Sequence, residues 1–75
     1  MWRIVLWDDD MNTGATMTFV LHRVVGLTLA QAVDLTHQVG REGFAQVPVI
    51  ADQQETGVVA ARMQVFGLRV EVAPA

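Results

Sequence analysis

Seventy-five residues, 52% of them apolar, with six glycines and two prolines, make one small domain with a core of its own and exclude a disordered chain. Eight carboxylates against five arginines, and no lysine, give a net charge of −3, which argues against nucleic acid because backbone binding needs a basic patch to displace counterions. Cysteine is absent, so disulfides and thiolate metal sites are excluded; with no secretory signal and no apolar run near membrane length, a cytoplasmic chain without a membrane partner is expected.

The chain opens on a strand over 2–8, where Trp2, Ile4 and Leu6 alternate with Arg3, Val5 and Trp7. Asp8 to Gly14 is rich in turn formers and reads as a loop. A helix over 15–25 follows, with Met17, Val20, Leu21, Val24 and Val25 on one face. Gly26 suits the left-handed position after its last turn, and Leu27 the hydrophobic contact that closes such an end. Thr28 and Gln31 form a capping box for a helix over 29–41, whose expected buried stripe is Leu29, Ala32, Val33, Thr36 and Val39.

A second strand covers 45–50. Pro48 within it gives up a ladder hydrogen bond, which assigns this strand to a sheet edge. Asp52 and Glu55 open a third helix over 52–66, carrying Val58, Val59, Arg62, Met63 and Phe66, and a third strand over 68–73 alternates Leu68, Val70 and Val72 with Arg69 and Glu71. The order β-α-α-β-α-β, with the first strand between the other two and antiparallel to both, predicts an α+β two-layer sandwich: a three-stranded antiparallel sheet with three helices on one face. Arg3 and Trp7 then lie on the open face, Trp7 packed against an arginine.

Chemistry is sparse. Serine is missing as well as cysteine, and no base stands beside an orienting partner, so an enzyme is not expected. His22 reads as a surface residue of the first helix and His37 as a half-buried one of the second. The charged cluster is Asp8, Asp9 and Asp10. A calcium loop alternates its ligands and closes on a glutamate, and this run does neither, so no metal or other cofactor is expected. The triplet could cap the first helix, though asparagine would do so without mutual repulsion. A protonated amine would relieve that repulsion; both readings stand on the sequence.

RIVLWDDD running into MNTG, then FVLHRVVGLTLAQAVDL, VGREGFAQV, the Glu55–Thr56 pair and LRVEV follow in an order that resembles the ClpS adaptor family. The family has the fold of a ribosomal stalk protein's C-terminal domain. Its members grip a bulky hydrophobic N-terminal residue of a degradation substrate and deliver it to a Clp-family AAA+ ATPase, docking on the ATPase N-terminal domain. The resemblance implies that Asp8 stands at the family asparagine, Asp9 at the aspartate that holds the substrate amine and Asp10 at the next aspartate. Asn12 takes the place of the pocket threonine, and Thr36 and Val39 the pocket wall on the second helix. Asp52, Glu55 and Thr56 are then the ATPase-docking residues.

The family's gating methionine, amine-binding histidine and ATPase-contacting lysine match Gly14, Gly40 and Gly57 here. Met11 is expected to lean over the pocket in place of the gate, and His37, one helical turn from Gly40, to reach its mouth. The expected function is an adaptor that binds substrate N-termini for Clp proteolysis. The alternative is a regulatory interaction domain that docks on the ATPase without recognising N-termini.

Overall fold

The computed structural model describes residues 1–9 and 13–75. The chain runs β1 (Trp2–Trp7), α1 (Gly14–Phe19) with a π-helical extension (Val20–Val25), α2 (Leu29–Glu42), β2 (Phe44–Ala51), α3 (Gln53–Val65) and β3 (Arg69–Pro74). The strands form one sheet in the order β2-β1-β3, with β1 antiparallel to both neighbours. This is the α+β architecture in the order expected. Among the described residues, no helix is long and apolar enough to cross a membrane.

Alternation on β1 sorts the sheet faces. Ile4 and Leu6 are fully buried, and their cross-strand partners Val47, Ala45, Val72 and Val70 line up on the same face. The other face carries Phe44, Trp7 and Arg69 in one row. The Phe44 and Trp7 rings stand 5.5 Å apart, and the Arg69 guanidinium lies 5.9 Å from the Trp7 ring centre. Arg3, on the same face, donates from Nη1 to Gln46 Oε1 at 3.1 Å. Pro48 lies on the edge strand and inside a register break, since Arg3 pairs with Ile50 but Ile4 with Val47. The bulge leaves Pro48 outside the ladder, where its missing N–H has no consequence.

Each helix start is set by a side chain. Thr13 caps α1, accepting from Thr16 N–H at 3.1 Å. Thr28 and Gln31 form the full capping box of α2, and the Asp52 carboxylate accepts from Glu55 N–H at 2.8 Å to open α3. Gly26 takes φ 93°, and both its N–H and that of Leu27 donate to the Leu21 carbonyl, so Leu27 folds back into the core.

The buried face of α2 keeps Ala32 and Val39 of the expected stripe and is rotated towards Leu35, and that of α3 shares only Met63 with the residues read there. In α2 the buried residues are Ala32, Leu35 and Val39, whereas Leu29 is 58% exposed and Val33 and Thr36 are half-buried. In α3 they are Thr56, Ala60 and Met63, with Val58 and Phe66 exposed. The small side chains at Thr56 and Ala60 let α3 lie close against the sheet, which turns the bulkier Val58 and Phe66 outward. The cost of that approach is the Thr56 hydroxyl, buried with no hydrogen-bond partner among the described residues. Thr56→Val keeps the shape and removes the orphaned polar atom, so it is expected to stabilise the fold by about 1 to 2 kcal/mol. The check is a higher urea midpoint at unchanged slope; a lower midpoint would mean that the hydroxyl is paired.

Candidate functional site

The helices α1 and α2 run antiparallel and enclose an open groove of about 730 Å³, within the size of small-ligand and peptide sites. Its floor and walls are mainly apolar: Ala15, Phe19, Leu29 and Val33, with Thr18 and Thr36 between them. The groove follows from the facing of α2. Ala32, Leu35 and Val39 meet the sheet, and the second stripe at Leu29, Val33 and Thr36, at spacings of four and three, is left for α1 to cover. On α1 the buried positions are Met17, Val20 and Leu21, which leaves Phe19 51% exposed at the groove edge.

One end of the groove is closed by close contact. A Cβ at Gly14 would meet Thr36 Cγ2 at 3.4 Å, so the first turn of α1 rests almost directly on α2. The Thr36 hydroxyl donates to the Ala32 carbonyl at 2.8 Å and accepts from Thr18, also at 2.8 Å. Both hydroxyls are therefore spent within the wall, leaving methyl groups to line the groove. Past that contact, about two helical turns beyond Thr36, Asp8 N–H donates to the Gly43 carbonyl at 2.9 Å just after the last turn of α2.

The far end is cationic. His22 Nδ1 lies 2.8 Å from the Leu27 carbonyl, and since a carbonyl only accepts, that nitrogen carries the proton. This hydrogen bond fixes the imidazole on the groove side, next to Arg23. His22 lies in the π-helical stretch Val20–Val25, where i→i+5 pairing spaces side chains differently from an α-helix. The two histidines thus exchange their expected roles. His22 is half-buried and bonded, while His37 is exposed and lines the groove.

The residues singled out from the sequence divide as follows. Thr36 and His37 line the groove. Val39 does not; it is 1% exposed and belongs to the core, because α2 is rotated to bury it beside Leu35. Asp8 is exposed and Asp9 half-buried at the Gly43 end, and neither caps α1, whose cap is Thr13. Asp10, Met11 and Asn12 lie outside the described residues. Asp52 and Glu55 are exposed at the start of α3 beside Val58, whereas Thr56 is fully buried and presents nothing to a partner. Phe19, Arg23, Leu29 and Val33 were not anticipated as site residues. The signal for them is that α2 carries two interleaved apolar stripes, one more than a single core face uses.

The three glycines at the family positions differ in surroundings. A side chain at Gly40 or Gly57 would have no atom within 4 Å of its Cβ, and one at Gly14 would reach over Thr36.

Comparison with known proteins places this arrangement. A family model described as ATP-dependent Clp protease adaptor protein ClpS matches residues 1–71. Two curated proteins named ATP-dependent Clp protease adapter protein ClpS, from Corynebacterium glutamicum strains R and ATCC 13032, are each 37% identical over 46 residues. The aligned stretch covers 61% of this chain and 46% of each relative, so the match spans about half the length of those proteins. With the family match running from the first residue into the third strand, the chain belongs to the ClpS family of Clp protease adaptors.

Proposed function

We propose that this chain is an adaptor that binds the N-terminal residue of substrate proteins and hands them to a Clp-type AAA+ ATPase. The observation that carries the reading is the apolar groove between α1 and α2, closed at the Gly14–Thr36 contact on the C-terminal half of α2, the half after which Asp8 N–H is bonded to the Gly43 carbonyl. An α-amino group is a cation with three donors and seeks carboxylate oxygens; a bulky apolar first side chain seeks a groove lined by methyls and rings. Docking on the ATPase falls to the exposed acids Asp52 and Glu55 at the start of α3.

The direct test is a titration with labelled peptides that begin with Phe or Leu, each with an acetylated control. Micromolar or tighter binding that acetylation abolishes supports the reading. Equal binding of free and acetylated peptides ends it.

A second reading has an observation of its own. Thr36 uses its hydroxyl internally, Val39 is buried and Gly40 has no side chain, so three family pocket positions present no polar group to a ligand. Under this reading the domain docks on the ATPase and regulates it without gripping N-termini. Gly40→His separates the two. The site is open, and histidine is a better helix former than glycine, so folding is not harmed. If the amine is bound at this end, the added imidazole is expected to raise free-amine peptide affinity roughly two- to ten-fold. No gain, with no binding by the parent, selects the regulatory domain.

A further inference from the structure

The groove has a direction that the amine-binding end does not explain. The residues lining it include Arg23, His22 and His37 and no carboxylate among the described residues, in a protein whose acids outnumber its arginines eight to five. Across the first helix and its extension, from Gly14 to Val25, His22 and Arg23 are the charged or titratable side chains, and both sit at the end away from the Asp8–Asp9 loop. The groove itself is apolar in its middle through Phe19, Leu29 and Val33 and carries Arg23 beside His22 at the end away from Gly14. Asp8 and Asp9 lie outside its lining, beyond the Gly14–Thr36 contact.

We infer that the groove reads the first several residues of a substrate in this order, and selects an acidic side chain some four residues beyond the N-terminus. The inference rests on the amine-end reading above. The spacing follows from geometry. Gly14 and Arg23 are nine residues apart, so at 1.5 Å per residue they lie about 13 Å apart along the helix. An extended peptide advances about 3.3 Å per residue, so a chain with its amine at Gly14 brings about its fifth residue to Arg23. The His22 ring is already held on the groove side by the Leu27 carbonyl, and the guanidinium beside it supplies paired donors for a carboxylate.

The test uses labelled octapeptides that begin Phe-Ala-Ala and carry Glu, Ala or Lys at positions four and five, titrated at low and at high salt. At low salt the Glu peptides are expected to bind roughly two- to five-fold more tightly than the Lys peptides, the range for exposed charge pairs. The gap should narrow at high salt, and the preference should fade when Glu is moved to position eight. Arg23→Glu is expected to reverse the order of the Glu and Lys peptides. Arg62→Glu, the same charge change at an exposed site on α3 outside the groove, should leave the order intact. Thermal unfolding of both variants serves as the folding control.

Amine-dependent binding of the Ala peptide with Glu and Lys peptides equal would overturn the groove inference alone. A preference that survives Arg23→Glu would do the same. No amine-dependent binding by any of the peptides would overturn both this inference and the proposed function.

Discussion

Asp9→Ala is expected to weaken binding of a Phe-starting peptide by about ten- to a hundred-fold, and acetylation of the same peptide to do as much. A hydrogen bond to a charged group contributes about 1.5 to 3 kcal/mol, and each 1.4 kcal/mol is a factor of ten. Asp9 is singled out over Asp8 because it is half-buried while Asp8 is exposed, and a carboxylate partly withdrawn from water is less screened. Asp8→Ala should therefore cost only a few-fold. The double-mutant logic is straightforward: if Asp9 acts on the amine, acetylation has little further effect in the Asp9→Ala protein. Isothermal titration of the four combinations gives the coupling. Independent, additive losses would mean that Asp9 acts on something other than the amine.

Leu6→Ala is expected to remove about 2 to 5 kcal/mol of stability, a large share of what the chain has. Leu6 is fully buried on the central strand, paired with Ala45 on one side and Val70 on the other, so sheet and helices both close on it. Removing a buried leucine costs about 2 to 5 kcal/mol, because neighbours anchored in the sheet cannot fill the space. A chain of 75 residues at about 0.05 to 0.15 kcal/mol per residue has about 4 to 11 kcal/mol in all. The control is Val65→Ala on α3, 83% exposed, which should change stability by less than about 0.5 kcal/mol. Far-ultraviolet circular dichroism and urea unfolding decide it. A loss below about 1 kcal/mol for Leu6→Ala would contradict the central-strand core.

The two experiments bear on one object from opposite sides. The groove is what remains when α2 commits Ala32, Leu35 and Val39 to the sheet and leaves its other apolar stripe to α1. The shape of the groove thus depends on the same rotation of α2 that packs the core. Core variants are expected to impair peptide binding through folding. A variant at Arg23, which is exposed and not a core residue, should alter it without loss of stability.

Local chemistry alone sufficed for the element order, the strand assignment of Pro48 to an edge, and the helix boundaries at Gly26, Thr28 and Asp52. Each of these rests on an interaction between residues within about six positions of one another: a cap, a left-handed glycine, a missing amide hydrogen. The sequence order was also enough for the family, whose match runs along nearly the whole chain. What it left open was the rotation of α2 and α3 about their own axes. Both carry more apolar side chains than one face needs, and periodicity cannot choose between two stripes of similar hydrophobicity. The choice was made by packing: small Thr56 and Ala60 fit flush on the sheet, Val39 fits beside Leu35, and Leu29, Val33 and Phe19 are left to line a groove. The exchange of roles between His22 and His37 was not legible either, since the π-helical stretch that holds His22 has no reliable signature in a short apolar run. Short-range bonds between neighbours are written in the chain itself; the facing of a helix depends on which surfaces meet across the core, and only the folded structure decides that.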